Sequence, residues 1–262
     1  MTQSSISTRP HDLGEATPAD NSPSSLVHPH HTPGAGWQLA AVSAFQERML
    51  ADDALFPCIF GVDAVRKGTL RYAFIPAGAD RVPALARALA EFTGIAESLG
   101  SRTSIVVFFE DDPTLSTMED YERSFWSYLA ELQELDQADW PEGVSKDPAD
   151  PSWEFSFNGT PLFVVANTPE HKDRRSRHSD FFTVTFQPRF VFNDLKAGTP
   201  TGDRARVVIR RRLKDYDRIP QTPLLGSYGD PENREWMQYF LQDHNQPLDP
   251  AAACPINHAR SV

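Results

Sequence analysis

The sequence predicts an α+β fold: a single domain with a mixed β-sheet flanked by helices. Three observations predict it. Residues 70–76 alternate and are rich in strand formers, residues 104–109 form a short unbroken apolar run, and an amphipathic helical pattern lies between them. That order is the order of a βαβ unit. Asn158-Gly159 separates two apolar segments, 154–157 and 161–166, as the tight turn of an antiparallel hairpin does. Helical patterns and strands then alternate along the chain instead of forming separate blocks.

Taken in order, residues 1–36 are rich in Ser, Thr, Pro, His, Asp and Gly, and Leu26-Val27 is their only adjacent pair of large apolar residues. Such a segment buries too little to offset its ordering entropy, so it is expected to be a disordered polar tail outside a domain spanning 37–262. His28, His30 and His31 could catch a metal, but the preferred reading is a solvated His-rich tail. Leu39, Val42, Phe45 and Leu50 give residues 37–52 helical spacing. Phe56–Gly61 is a short apolar stretch between this helix and the first strand, with no assigned element. Asp80 is placed to cap a helix with Pro83 in its first turn and Val82, Leu85, Leu89, Phe92 and Leu99 on one face. Ser116-x-x-Glu119 reads as a capping box ahead of Tyr121, Phe125, Leu129, Leu132 and Leu135. Residues 181–186 are a further strand, Ala205 to Tyr216 a helix with a basic outer face, and 235–241 a last short helix.

Composition narrows the function. The chain has 262 residues, 40% of them apolar, and carries 25 basic against 36 acidic residues, a formal charge of 25 − 36 = −11. Phosphate affinity comes from clustered Lys and Arg, so a general nucleic-acid binder is excluded. No apolar run approaches the roughly 20 residues of a membrane span, and no secretory signal is visible. Two cysteines form no disulfide framework, which suits a reducing compartment, and the expected location is the cytoplasm.

Chemistry concentrates in a few places. Residues 167–178 follow the hairpin and carry His171, Arg174, Arg175, Arg177 and His178, with Arg189 just downstream. Imidazoles ligate transition metals and guanidiniums grip anions bidentately, so this is a candidate anion-binding loop at a strand end, against the alternative of a solvated basic loop. Cys58 is either an inert buried thiol or, if a cation or metal lowers its pKa, a ligand or nucleophile. Cys254 reads as a docked structural residue. The basic run from Arg204 to Lys214 reads as a solvated helix face, and Glu110, Asp111 and Asp112 as a polar turn or a cation or guanidinium site. Dinucleotide, Walker, zinc-protease, nucleophile-elbow and covalent-haem motifs are absent from the sequence.

Several motifs occur together: Phe56-Pro57-Cys58, residues 66–72, Trp140-Pro141, Trp153-Glu154-Phe155, residues 167–171 with the arginines to Arg177, Phe186-Gln187-Pro188-Arg189, Leu225-Gly226-x-Tyr228-Gly229-Asp230, Glu235-Trp236-x-Gln238-Tyr239 and Cys254-Pro255. This ordered set resembles the YqcI/YcgG family over about residues 38–256. Ile256 stands where the family pattern leads one to expect an aromatic residue.

The resemblance implies a haem-dependent oxygenase that N-hydroxylates a guanidine group of arginine or an arginine-like small molecule, in natural-product pathways such as those of D-cycloserine and guanitoxin. Its cofactor would be haem b, its partners a small guanidine-containing substrate and a separate reductase as external electron donor. A b-type haem requires an axial ligand, an apolar slot and cations for its propionates. His171 is the first choice of iron ligand, Cys58 the rival and His178 the third. Arg174, Arg175, Arg177 and Arg189 are candidate propionate or carboxylate partners, and Glu154 a candidate partner for the substrate guanidinium. Phe56, Phe74, Trp153 and Phe155 could line the slot, or be plain core. The alternatives are a non-catalytic haem or small-anion binder, and a haem-free enzyme using Cys58 as nucleophile.

Overall fold

The computed structural model describes residues 24–31, 36–195, 198–226, 232–246 and 254–256. Five strands form one mixed sheet: β1 Arg71–Ile75, β2 Ile105–Phe109, β3 Ser156–Phe157, β4 Thr160–Asn167 and β5 Thr183–Pro188, in the spatial order β1-β2-β5-β4-β3. β1 and β2 run parallel with Ala73 opposite Val107, and the remaining pairs are antiparallel, with Val164 opposite Phe186. The crossover between the parallel strands is α3, Arg81–Ile95, so the predicted βαβ unit is present. The predicted hairpin is present too. Asn158 (φ 51°) and Gly159 (φ 68°) both take the left-handed conformation that its two-residue turn requires.

Side chains alternate along a strand, and the two faces are covered differently. Ile75, Val107, Phe109, Val164 and Phe186 point to one face, against Leu85, Leu89 and Phe92 of α3 and Phe125, Leu129 and Leu132 of α4, Met118–Leu135. Each such side chain contributes about 1.5–3 kcal/mol on burial. On the other face Tyr72, Val106 and Phe108 pack under α1, Trp37–Leu50, and α2, Ile59–Lys67. These two helices cover the β1–β2 half. Helix α5, Pro200–Tyr216, faces the β4–β5 half across a cavity.

Five expectations need correction. Residues 59–67, left without an element, are the helix α2; it starts at Cys58 and is stopped by Gly68, whose φ of 70° suits a residue without Cβ. The capping box of α4 lies one residue on: Thr117 Oγ1 accepts from the Asp120 backbone N–H, while the Asp120 carboxylate accepts from the Thr117 N–H. Asp80 precedes α3 but makes no side-chain capping bond. The tail is not wholly outside the fold, because Val27 pairs antiparallel with Tyr72 on the open edge of β1 (N···O 2.7 and 2.9 Å) and Ser25 bonds Glu91. An edge strand's unpaired amides attract such a partner. The short helix expected at 235–241 is a 3-10 turn, Glu235–Gln238.

Candidate active site

The cavity has a volume of about 370 Å³, within the size range of small-molecule sites. Its floor is the second face of β4 and β5, where Phe163, Val165, Asn167, Thr185 and Gln187 line it. These residues stay half-buried in central strands because no helix rests on them. Its roof is the inner stripe of α5, Gly202, Ala205, Ile209 and Leu213, a helical spacing that leaves the arginines of the same helix mostly outward. Arg206 is the exception: it lines the cavity, held by Asp203 and the Leu195 carbonyl.

The N-terminus of α2 supplies one wall. Pro57 leads into Cys58, which is the N-cap residue, and its sulfur accepts from the Gly61 backbone N–H at 3.4 Å. A Cβ at position 61 would crowd the end of the Met49 side chain, 3.0 Å from Cε, and would meet Cys58 Sγ at an ordinary contact distance of 3.5 Å. Burial pushes the Cys58 thiol up, while the Gly61 and Phe60 amides and the Arg177 charge pull it down. A thiol raised by burial is a poor free nucleophile. A metal-bound thiol is deprotonated by the metal, and amides at a helix N-terminus stabilise that anion. Cys254, by contrast, sits in the core with its thiol pushed up to about 12 by burial.

The basic loop divides in two. Arg174 and Arg177 are buried and line the cavity. Arg174 Nε donates to Gln242 O (2.8 Å) and Nη2 to Asn245 Oδ1 (2.8 Å), and Arg177 Nη2 donates to Gln238 O (3.0 Å). Neither has a carboxylate at ion-pair distance among the described residues. Burial pulls Arg177 down to about 10, with the Arg174 charge acting in the same sense, and it remains a cation at neutral pH. The pair therefore holds positive charge beside an apolar space, offset only at longer range by Asp217 and Asp243, which is suited to an anion. Arg175 instead lies outward over the Tyr216 ring, 5.0 Å from its centroid. Arg189 is committed to Glu154, donating to Oε1 from Nε at 2.6 Å and from Nη2 at 2.5 Å.

His171, the expected iron ligand, does not line the cavity. The Leu241 carbonyl can only accept, so Nε2 donates to it at 2.7 Å, and Nδ1 accepts from Thr168 Oγ1 at 2.9 Å. Both nitrogens are spent within the fold, and no lone pair is left for a metal. His178 is likewise occupied, with Nδ1 on the His171 carbonyl (2.9 Å) and Nε2 on Asp180 (3.2 Å). The organiser of this loop is Asp243. Its carboxylate accepts from the backbone N–H groups of Lys172, Asp173 and Arg174, an anion held in a nest of amides. No local signal in the sequence marks it, because its partners lie about seventy residues away.

The buried state of His171 has a consequence for stability. Burial holds its imidazole down at about 4, against 6.5 in an open chain. Between those values the unfolded chain binds the proton and the folded one does not, so stability rises with pH there. The stability present above pH 6.5 is lost as pH falls to about 4, by on the order of 3 kcal/mol. Urea unfolding across that window should show it, with a shallower loss in His171→Asn; equal slopes would contradict this assignment.

Glu154 does not line the cavity and is paired with Arg189. Two carboxyls do reach it: Asp217, whose oxygens accept from the Ser176 backbone N–H (2.7 Å) and Oγ (2.9 Å), and Glu235, buried at 8% exposure and without a hydrogen bond or ion pair among the described residues. It opens the motif Glu235-Trp236-x-Gln238-Tyr239, whose sequence implies no role for it. Its sequence signal is one acid before an aromatic, which a surface residue would share. The Glu110–Asp112 turn is explained by the fold: Asp112 pairs with the buried Arg81 at 3.0 Å, and Glu110 accepts from the Ala77 N–H.

The family model for the YqcI/YcgG family matches residues 45–257. The chain belongs to the YqcI/YcgG family. It is 40% identical over 231 residues to YcgG of Bacillus subtilis strain 168, covering 86% of this chain and 90% of that protein. It is 39% identical over 232 residues to YqcI of the same organism, covering 87% and 90%. A Streptomyces lavendulae protein, provisionally named N(omega)-hydroxy-L-arginine synthase DcsA, is 34% identical over 228 residues, 84% of each chain. No solved structure is detectably similar. In this member of the YqcI/YcgG family, motifs scattered along the sequence meet at one cavity. Cys58, Asn167, Arg174, Arg177, Gly226, Glu235 and Gln238 all line it.

Proposed function

We propose that the protein is a haem-dependent oxygenase that N-hydroxylates the guanidine group of arginine or an arginine-like small molecule. The observation that carries this reading is the Cys58 sulfur on an apolar cavity, beside two buried arginines that lack carboxylate partners. The name of the Streptomyces lavendulae relative supports the reaction class.

The residues present fit haem b. Haem brings most of its own iron donors, so one protein ligand would suffice. Among the described residues no group of three or more His, Cys, Asp and Glu is arranged for a bare ion, and haem needs none. Cys58 would hold the iron, with its amide contact and the Arg177 charge stabilising the thiolate. Arg174 and Arg177 would hold carboxylates, whether propionates or that of the substrate. Bound haem would supply dioxygen activation: with two electrons from a separate reductase and two protons from solvent, one oxygen atom would enter a guanidine N–H bond and the other would leave as water. The protein's own part is placement. The cavity's apolar walls exclude water, and the arginines fix the anionic groups.

Purification from haem-supplemented cells, followed by spectra and a screen of arginine, homoarginine and related guanidines with a working reductant, tests this. A Soret band and a product one oxygen atom heavier are expected. A colourless protein after hemin reconstitution rules out the oxygenase, and a coloured protein that turns over no guanidine leaves a non-catalytic haem binder.

A further inference from the structure

One charged side chain on the cavity has no hydrogen bond or ion pair among the described residues. Glu235 opens the 3-10 turn Glu235–Gln238, is buried, and lines the cavity with both carboxylate oxygens unengaged by the described residues. A buried carboxyl is ordinarily paired, as nearby Glu154 is with Arg189. The fold thus compensates one acid and leaves its neighbour open toward the empty space. The other charged groups on that space are the guanidiniums of Arg48, Arg174, Arg177 and Arg206, which repel a cation, and the Asp217 carboxylate, whose two oxygens are already engaged by the Ser176 N–H and Oγ. A cationic ligand can therefore settle only against an acid. An acid with two open oxygens matches the planar fork of a guanidinium better than the point charge of an ammonium. Gln238, at the other end of the same turn, also lines the cavity; its amide N–H is spent on Asn233 Oδ1 (2.9 Å), and its carbonyl oxygen remains an acceptor.

We propose that the carboxylate of Glu235 is the subsite for the substrate guanidinium, a specificity-determining contact that Glu154 cannot make. This rests on the functional reading above and names the residue that selects a guanidine. Charge on Glu235 responds to burial, to the Glu154 carboxylate and to Arg189; together they push its carboxyl up to about 8, and the buried Tyr239 phenol also faces it. An arriving guanidinium supplies the missing countercharge and draws the proton off. Affinity for a guanidinium accordingly rises with pH toward about 8 and levels off beyond it.

The test is equilibrium binding by calorimetry to the purified holoprotein, with L-arginine and its uncharged analogue L-citrulline as probes. Glu235→Gln is nearly isosteric and removes a buried charge, so the variant is expected to fold, which its thermal midpoint checks. L-arginine affinity should fall at least tenfold in Glu235→Gln and lose its rise with pH, while L-citrulline affinity stays unchanged. Glu235→Asp, with the carboxylate retained on a shorter arm, should recover part of the loss. If the parent protein binds L-arginine and Glu235→Gln binds it equally well, the subsite is wrong and the oxygenase reading stands. If the parent binds no guanidine at all, the subsite is wrong as well, and the spectrum of the protein decides the oxygenase separately.

Discussion

Replacing Cys58 by Ala should bleach the protein or change its spectral class, and abolish turnover. The sulfur lies on the cavity wall with a backbone N–H aimed at it, from Gly61 at 3.4 Å, and it is the soft donor there that a thiolate-ligated iron requires. Removing hydrogen-bond partners of a metal ligand costs about 10–100-fold, so losing the ligand itself should cost at least roughly a hundredfold in activity. Fold stability should change little, because the cap is a weak thiol bond and Ala removes only a sulfur atom beside an existing cavity. The ferrous CO complex is the decisive measurement, since a thiolate ligand gives it a different Soret position from an imidazole. His171→Ala is the control. It should lower stability by about 1–3 kcal/mol, by orphaning the Leu241 carbonyl, yet keep the parent spectrum. The reverse pattern, with Cys58→Ala keeping the native CO spectrum and His171→Ala losing it, would return the ligand role to the imidazole and require the loop to rearrange.

Arg189→Ala should be the most destabilising single change among the charged residues discussed. The Glu154 carboxylate is buried, takes both Arg189 contacts at 2.5–2.6 Å on one oxygen, and stands near the uncompensated Glu235. Deleting the cation leaves two adjacent buried acids with nothing to offset them. Breaking a buried pair in this way costs about 3–5 kcal/mol. The sign with pH follows from the same picture. Burial already raises Glu154 despite Arg189, and without the cation its folded-state value rises further. The deficit is then largest at neutral pH, where the unfolded chain's carboxyls are ionised, and shrinks in acid as they protonate. Urea unfolding of the parent and variant at neutral and mildly acidic pH reads both effects. Replacing the pair together with apolar residues of similar volume should recover most of the loss. A loss below about 1 kcal/mol would mean that water or another cation reaches Glu154 once Arg189 is gone, and that the pair is not buried in the sense used here.

The strands, the βαβ crossover and the hairpin were readable in the sequence because their signals are local. Alternation at 70–76, an apolar run at 104–109 and an Asn-Gly turn each act within a few residues, and the structure returns all of them. The family was readable too, since it depends on the order of motifs along the chain. The helix after Pro57 was not, because its apolar positions serve two neighbours at once: Val62 and Val65 face the core while Cys58 and Gly61 face the cavity. The site was legible only as a list. Sequence supplied the loop that holds His171 and the arginines, but a polar side chain points wherever its distant partners hold it. Asp243, Leu241 and Gln242 draw that loop inward, spend His171 on a carbonyl, turn Arg174 and Arg177 to the cavity and leave Arg175 to Tyr216. Glu154 and Glu235 are both acids beside aromatic residues in the chain, and nothing local separates them. Only the folded chain decides which is paired with Arg189 and which lines the open space, because a buried charge is settled by its nearest countercharge and not by its sequence neighbours.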